Sequence, residues 1–91
     1  MYTPVTSSKF KKDLKRSKKR NKDLLKIKYI MQKLTDGETL TAINKDHPLT
    51  GNYSGRRECH IEPDWLLIYK IDLSVMEIIF ERTGTHSDLF I

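Results

Sequence analysis

Residues 56–82, RRECHIEPDWLLIYKIDLSVMEIIFER, decide the fold. Three runs rich in Ile, Leu, Tyr, Phe and Trp are separated by turn-forming residues, Pro63-Asp64 and Asp72-Leu73-Ser74. They predict strands at 56–62, 65–71 and 75–82 joined by tight connections, and hence an antiparallel sheet. Alternation in the first run puts Arg57, Cys59 and Ile61 on one face and Glu58, His60 and Glu62 on the other. In the last run it groups Ile78, Phe80 and Arg82 against Glu77, Ile79 and Glu81. A bulge near the strand end would be needed to bring Arg82 toward His60.

The segments before these strands read as helices. Thr6-Ser7-Ser8 offers capping hydroxyls for a helix from about Lys9, with Phe10 and Leu14 as a narrow apolar stripe. SKKRNKD (17–23) marks a break, with Asn21 expected to cap a second helix whose Leu24, Ile27, Met31 and Leu34 recur at helical spacing. Gly37 should end it as a left-handed cap. Tyr2 to Val5 is a candidate edge strand, and 38–55 has the Asn, Asp, Pro and Gly content of a long loop. Helices first and strands afterwards indicate an α+β domain, with two N-terminal helices packed on one face of a mainly antiparallel twisted sheet.

Ninety-one residues suit one domain spanning 1–91, since so short a chain buries only about 60–65% of its unfolded surface. The net charge is +5, and eleven of the 17 Lys and Arg residues lie between Lys9 and Lys28. Such a field attracts nucleic acid, an acidic protein or an anionic surface without choosing among them, and it also suits a solvated helix face. Cys59 has no partner for a disulfide or a cysteine-based zinc site, which favours a reducing compartment and a role as core filler. MYTPVTSSKF does not resemble a secretory signal, and the longest apolar run, Trp65 to Tyr69, is too short for a membrane span. The expectation is a cytoplasmic protein without membrane contact.

All three histidines, His47, His60 and His86, fall in the C-terminal half beside turn signals and other ionisable groups. Histidine exchanges protons near neutrality, so two imidazoles flanking a phosphodiester can serve as base and acid while a guanidinium steadies the added negative charge. Arg82 is suited to that last task, and Gly84 lets the chain bend between Arg82 and His86. Trp65 and Phe90 offer flat surfaces for a base, or else simply close the core. Asp64 either initiates the turn or joins the site with Glu62. A metal held by His60, His86 and Asp64 is a second reading, with no dense ligand motif behind it.

Three strings, KDHPLTG (45–51), RECHIEPDWLLIYK (57–70) and FERTGTHSDLF (80–90), resemble the YafQ branch of the RelE-like toxins of bacterial type II toxin–antitoxin modules. The resemblance covers about the last half of the chain in near-continuous blocks; the helical half agrees only in its lysine-rich, leucine-spaced pattern. It implies a RelE-like α+β fold and a ribosome-dependent, metal-independent endoribonuclease that cuts messenger in the ribosomal A site. The implied site comprises His47, His60, Asp64, Arg82 and His86, with Trp65, Phe90 and Glu62 as substrate contacts and no cofactor. Either His60 or Asp64 would be the base and His86 the acid, an assignment that could be exchanged, with His47 as auxiliary. Implied partners are messenger, ribosomal RNA and a small acidic, DinJ-like antitoxin with a ribbon-helix-helix end, through which alone operator DNA would be reached. The chief rival is a ParE-like gyrase poison of the same fold, acting by binding without cutting RNA; a second is a small basic ribosome- or DNA-associated binding module whose polar cluster is structural.

Overall fold

The computed structural model describes residues 1–90; Ile91 lies outside them. Strand β1 (Thr3–Thr6) leads into helix α1 (Ser8–Lys19) and helix α2 (Leu24–Thr35). After a loop containing two short 3-10 turns and the two-residue strand β2 (His47–Pro48), the chain forms β3 (Arg57–Glu62), β4 (Trp65–Asp72) and β5 (Glu77–Gly84), then helix α3 (His86–Phe90). The five strands lie in the order β1-β5-β4-β3-β2, all neighbours antiparallel except β1 beside β5.

Local chemistry sets the helix ends. Ser7 Oγ accepts the Phe10 N–H at the start of α1, as its hydroxyl predicts. The cap of α2 is Asp23, whose carboxylate accepts the Leu25 N–H, and not Asn21; Asn21 instead adopts φ 62° and turns the chain out of α1. Gly37, at φ 78°, closes α2 as expected, its N–H reaching the Leu34 carbonyl.

α1 and α2 cover one sheet face, burying Phe10, Ile27, Ile30 and Leu34 against Cys59, Trp65, Leu67, Tyr69, Ile78 and Phe80. The opposite face is not left open, contrary to the expectation of helices on one side only. Leu66 and Ile68 of β4 are wholly buried there, packed with Leu89 of α3 and with Leu49 and Tyr53 of the loop. Coverage on both faces explains why Trp65 to Tyr69 is a continuous apolar run instead of an alternating one. β5 starts two residues later than predicted, because Met76 takes a left-handed turn conformation, φ 52°, and it continues two residues past Arg82. No helix among the described residues is long and apolar enough to cross a membrane.

Candidate active site

The site grows from two irregularities in the sheet. Tyr69 pairs with Phe80 but Ile68 pairs with Arg82, so Glu81 is an extra residue in β5. This bulge rotates Arg82 off the core face shared by Ile78 and Phe80 and into one cross-strand row with Ile68 and Glu58. A second shift, between His60 and Glu62 of β3, leaves Ile61 unpaired and places Glu62 opposite Trp65. Glu62 therefore leaves the face of His60 and binds Lys22 and Lys26 on the helical side, both at 2.9 Å.

Glu58 is the centre of the resulting cluster. β2 pairs His47 directly with Glu58, and His47 Nε2 lies 3.2 Å from Glu58 Oε2 while its Nδ1 donates to the Lys45 carbonyl at 2.6 Å. His60, two residues on, places Nε2 3.7 Å from the same oxygen, its Nδ1 donating to the Pro63 carbonyl at 3.1 Å. Since Nδ1 of each ring is committed to a carbonyl, Nε2 can donate to Glu58 only in the imidazolium form. Glu58 is 4% exposed, and the other oxygen of its carboxylate, Oε1, is buried without a hydrogen-bond partner. Leaving such an oxygen unpaired is costly for a fold and is common where function demands it.

α3 supplies the other half. Thr85 Oγ1 accepts the Asp88 N–H while Asp88 Oδ2 accepts the Thr85 N–H, a reciprocal cap that starts the helix at His86. Asp64, from the β3–β4 turn, accepts the His86 N–H at 3.0 Å and lies 3.3 Å from His86 Nδ1. Those contacts, the backbone one foremost, hold the Asp64 carboxyl below the usual carboxylate range. An ionised carboxylate on Nδ1 leaves Nε2 of His86 as the nitrogen facing solvent. The His86 ring centroid is 6.1 Å from that of His60 and 5.8 Å from Phe90, which in turn packs edge-on to Tyr53 at 5.4 Å.

Five of the eight residues anticipated from sequence thus meet: His47 and His60 across Glu58, His86 with Asp64, and Phe90 against His86. Three do not. Trp65 is 1% exposed, its indole N–H donating to Thr83 Oγ1 at 3.0 Å, so it presents no face to a base and belongs to the core. Glu62 is turned away by the β3 bulge and neutralised by two lysines. Arg82 reaches the correct sheet face, yet its guanidinium folds onto α1, with Nε donating to Asp13 Oδ2 at 2.8 Å and Nη2 to Oδ1 at 3.3 Å. Glu58 and Tyr53 were not singled out from sequence; the signal for Glu58 was its place on the His60 side of β3. Among the described residues, no group of three or more His, Cys, Asp or Glu side chains is arranged to hold a metal ion.

Comparison with known proteins gives this arrangement a family. The sequence profile described as bacterial toxin of type II toxin-antitoxin system, YafQ, matches residues 2–91. The mRNA interferase toxin YafQ of Escherichia coli (strain K12) is 48% identical over 85 residues, covering 92% of this chain and 90% of that protein. The crystal structure of YafQ from Escherichia coli strain BL21(DE3) superposes with a TM-score of 0.93 at 43% identity, over the whole of both chains. A toxin chain from the Escherichia coli DinJ-YafQ toxin-antitoxin complex matches with a TM-score of 0.89 at 45% identity, covering 99% of this chain and 98% of that one. Matched along essentially its full length in sequence and backbone, the chain belongs to the YafQ toxins of type II toxin–antitoxin systems.

Proposed function

We propose that the chain is an mRNA interferase, an endoribonuclease that cuts translated messenger in the ribosomal A site and is neutralised by a cognate acidic antitoxin. The observation carrying this reading is the convergence of His60 and His86, 6.1 Å between ring centroids, with His47 joined to them through Glu58. The named activity of the Escherichia coli relative points the same way.

Cleavage begins when a base takes the proton of a ribose 2′-hydroxyl, whose oxygen then attacks the adjacent phosphorus. The 5′-oxygen leaves with a proton from an acid, giving a 2′,3′-cyclic phosphate and a 5′-hydroxyl. His86 suits the acid: Asp64 holds the ring through Nδ1, which leaves Nε2 free to carry a proton to the leaving oxygen. Asp64 is a poor base, since its carboxyl already serves two donors and its proton affinity is lowered. The base role therefore falls to His60, with His47 and the shared Glu58 carboxylate completing the proton-exchanging group. Phe90, 40% exposed, offers a surface on which a nucleobase can stack. Arg82 supplies positive charge from the neighbouring row, and no step requires a metal.

Lys9, Lys11, Lys12, Lys15, Lys18 and Lys19 all lie exposed along α1, where they can meet ribosomal RNA or an acidic antitoxin. A DinJ-like antitoxin would carry any contact to operator DNA. Primer extension on messenger from expressing cells tests the function: discrete breaks are expected within translated frames and should vanish when the start codon is removed. Loss of DNA supercoiling with intact messenger would favour a gyrase poison instead.

A further inference from the structure

His86 and Phe90 sit on a helix of five residues, far too short to hold its shape alone in water. Its pose depends on what grips it. Leu89 anchors the inner side in the small cluster with Leu66 and Ile68. The outer side is gripped through Asp88, which besides capping Thr85 receives Arg20, the residue that caps the C-terminal end of α1, in a two-pronged contact, Nη1 to Oδ2 at 2.7 Å and Nη2 to Oδ1 at 3.2 Å. Arg16, one turn earlier, lies 3.7 Å from Asp88 and 3.0 Å from Asp13, and Asp13 holds Arg82. A continuous line of alternating charge thus runs along α1 from the arginine of β5 to the helix bearing His86.

The contact is built closely. A Cβ on Gly84 would fall 2.8 Å from Asp88 Oδ2 and 3.2 Å from Arg16 Nη2, so the line closes over a position where only glycine fits without displacement. Arg20, with the Thr85 contacts adding to its effect, holds the Asp88 carboxyl far below the ordinary carboxylate range. The side chain of Asp88 is 13% exposed and that of Arg20 45%, so the pair is half-sheltered and bidentate, not a loose surface ion pair.

We propose that Arg20 is a positioning residue for cleavage, acting through Asp88 to fix the helix that presents His86 and Phe90. This rests on the nuclease reading above. Helix α1, distant in sequence from every histidine, is then part of the machinery that sets the acid's geometry, and its basic face does more than attract polyanions.

A double-mutant cycle of Arg20→Ala and Asp88→Asn, read by single-turnover cleavage on programmed ribosomes, tests it. Misplacing a reacting group by about 1 Å can cost roughly 100-fold. Each single variant should therefore lower the rate constant at saturating toxin by about 10- to 100-fold while the half-saturating concentration stays put. The double variant should be no slower than the slower single one, because both remove the same contact. Amide exchange at residues 86–90 should quicken in Arg20→Ala while β4 keeps its protection. An Arg20 that contacts ribosomal RNA instead would raise the half-saturating concentration, spare the saturated rate and combine multiplicatively with Asp88→Asn. That pattern, or an Arg20→Ala variant as fast as wild type, overturns the proposal and leaves the nuclease reading standing. Absence of cleavage by the wild-type toxin overturns both.

Discussion

His86→Ala should abolish growth arrest on expression and lower messenger cleavage by about 10²- to 10⁴-fold, the usual worth of a placed general acid. The fold should survive. The His86 side chain is 58% exposed, and the backbone N–H that ties α3 to Asp64 remains in the variant. A stability change within about 0.5 kcal/mol is expected, as for other surface substitutions. Thermal unfolding and co-purification with the antitoxin are the controls, and primer extension reports the chemistry. Full toxicity in this variant would remove His86 from the acid role.

Trp65 should behave in the opposite way, as a core residue and not as a platform for a base. Its ring is buried among the α1–α2 core, Lys22 Nζ lies 5.7 Å from the ring centroid, and its N–H is bonded to Thr83. Trp65→Ala should cost about 3–5 kcal/mol, a large part of the roughly 5–15 kcal/mol that holds a typical domain together. The variant should express poorly and melt far below wild type. Trp65→Phe keeps most of the apolar volume and loses one hydrogen bond, worth about 0.5–1.5 kcal/mol. Thr83 Oγ1 would still donate to the Leu66 carbonyl. The Phe variant should fold and cut messenger at nearly the wild-type rate. A folded Trp65→Phe protein with cleavage reduced a hundredfold would restore Trp65 to the substrate surface.

The sheet was legible because its strands are written in apolar runs with punctuated turns, and the helices because their stripes repeat at three and four. Two kinds of feature escaped. The bulges at Ile61 and Glu81 depend on how neighbouring strands register, which no single strand encodes, and they decide which face Glu62 and Arg82 occupy. Arg82 needed a bulge to approach His60; the bulge is present, but the guanidinium goes to Asp13, a partner 69 residues away. α3 was hidden by Thr83, Gly84 and Thr85, which discourage a helix through Arg82, although Thr85 and Asp88 carry its cap three residues apart. β2 is two residues long and offers no periodicity, yet it alone brings His47 to Glu58. Histidines mark themselves by residue type; the carboxylate between them does so only once two strands have paired.

The most direct test of the chemistry is to replace the ribose on the 5′ side of the scissile phosphate by 2′-deoxyribose in messenger bound to programmed ribosomes. Acid–base attack by the 2′-oxygen predicts that the deoxy message survives, while the all-ribose message yields a 2′,3′-cyclic phosphate and a 5′-hydroxyl. Cutting of the deoxy message at the same site, or fragments ending in a 5′-phosphate, would contradict the account.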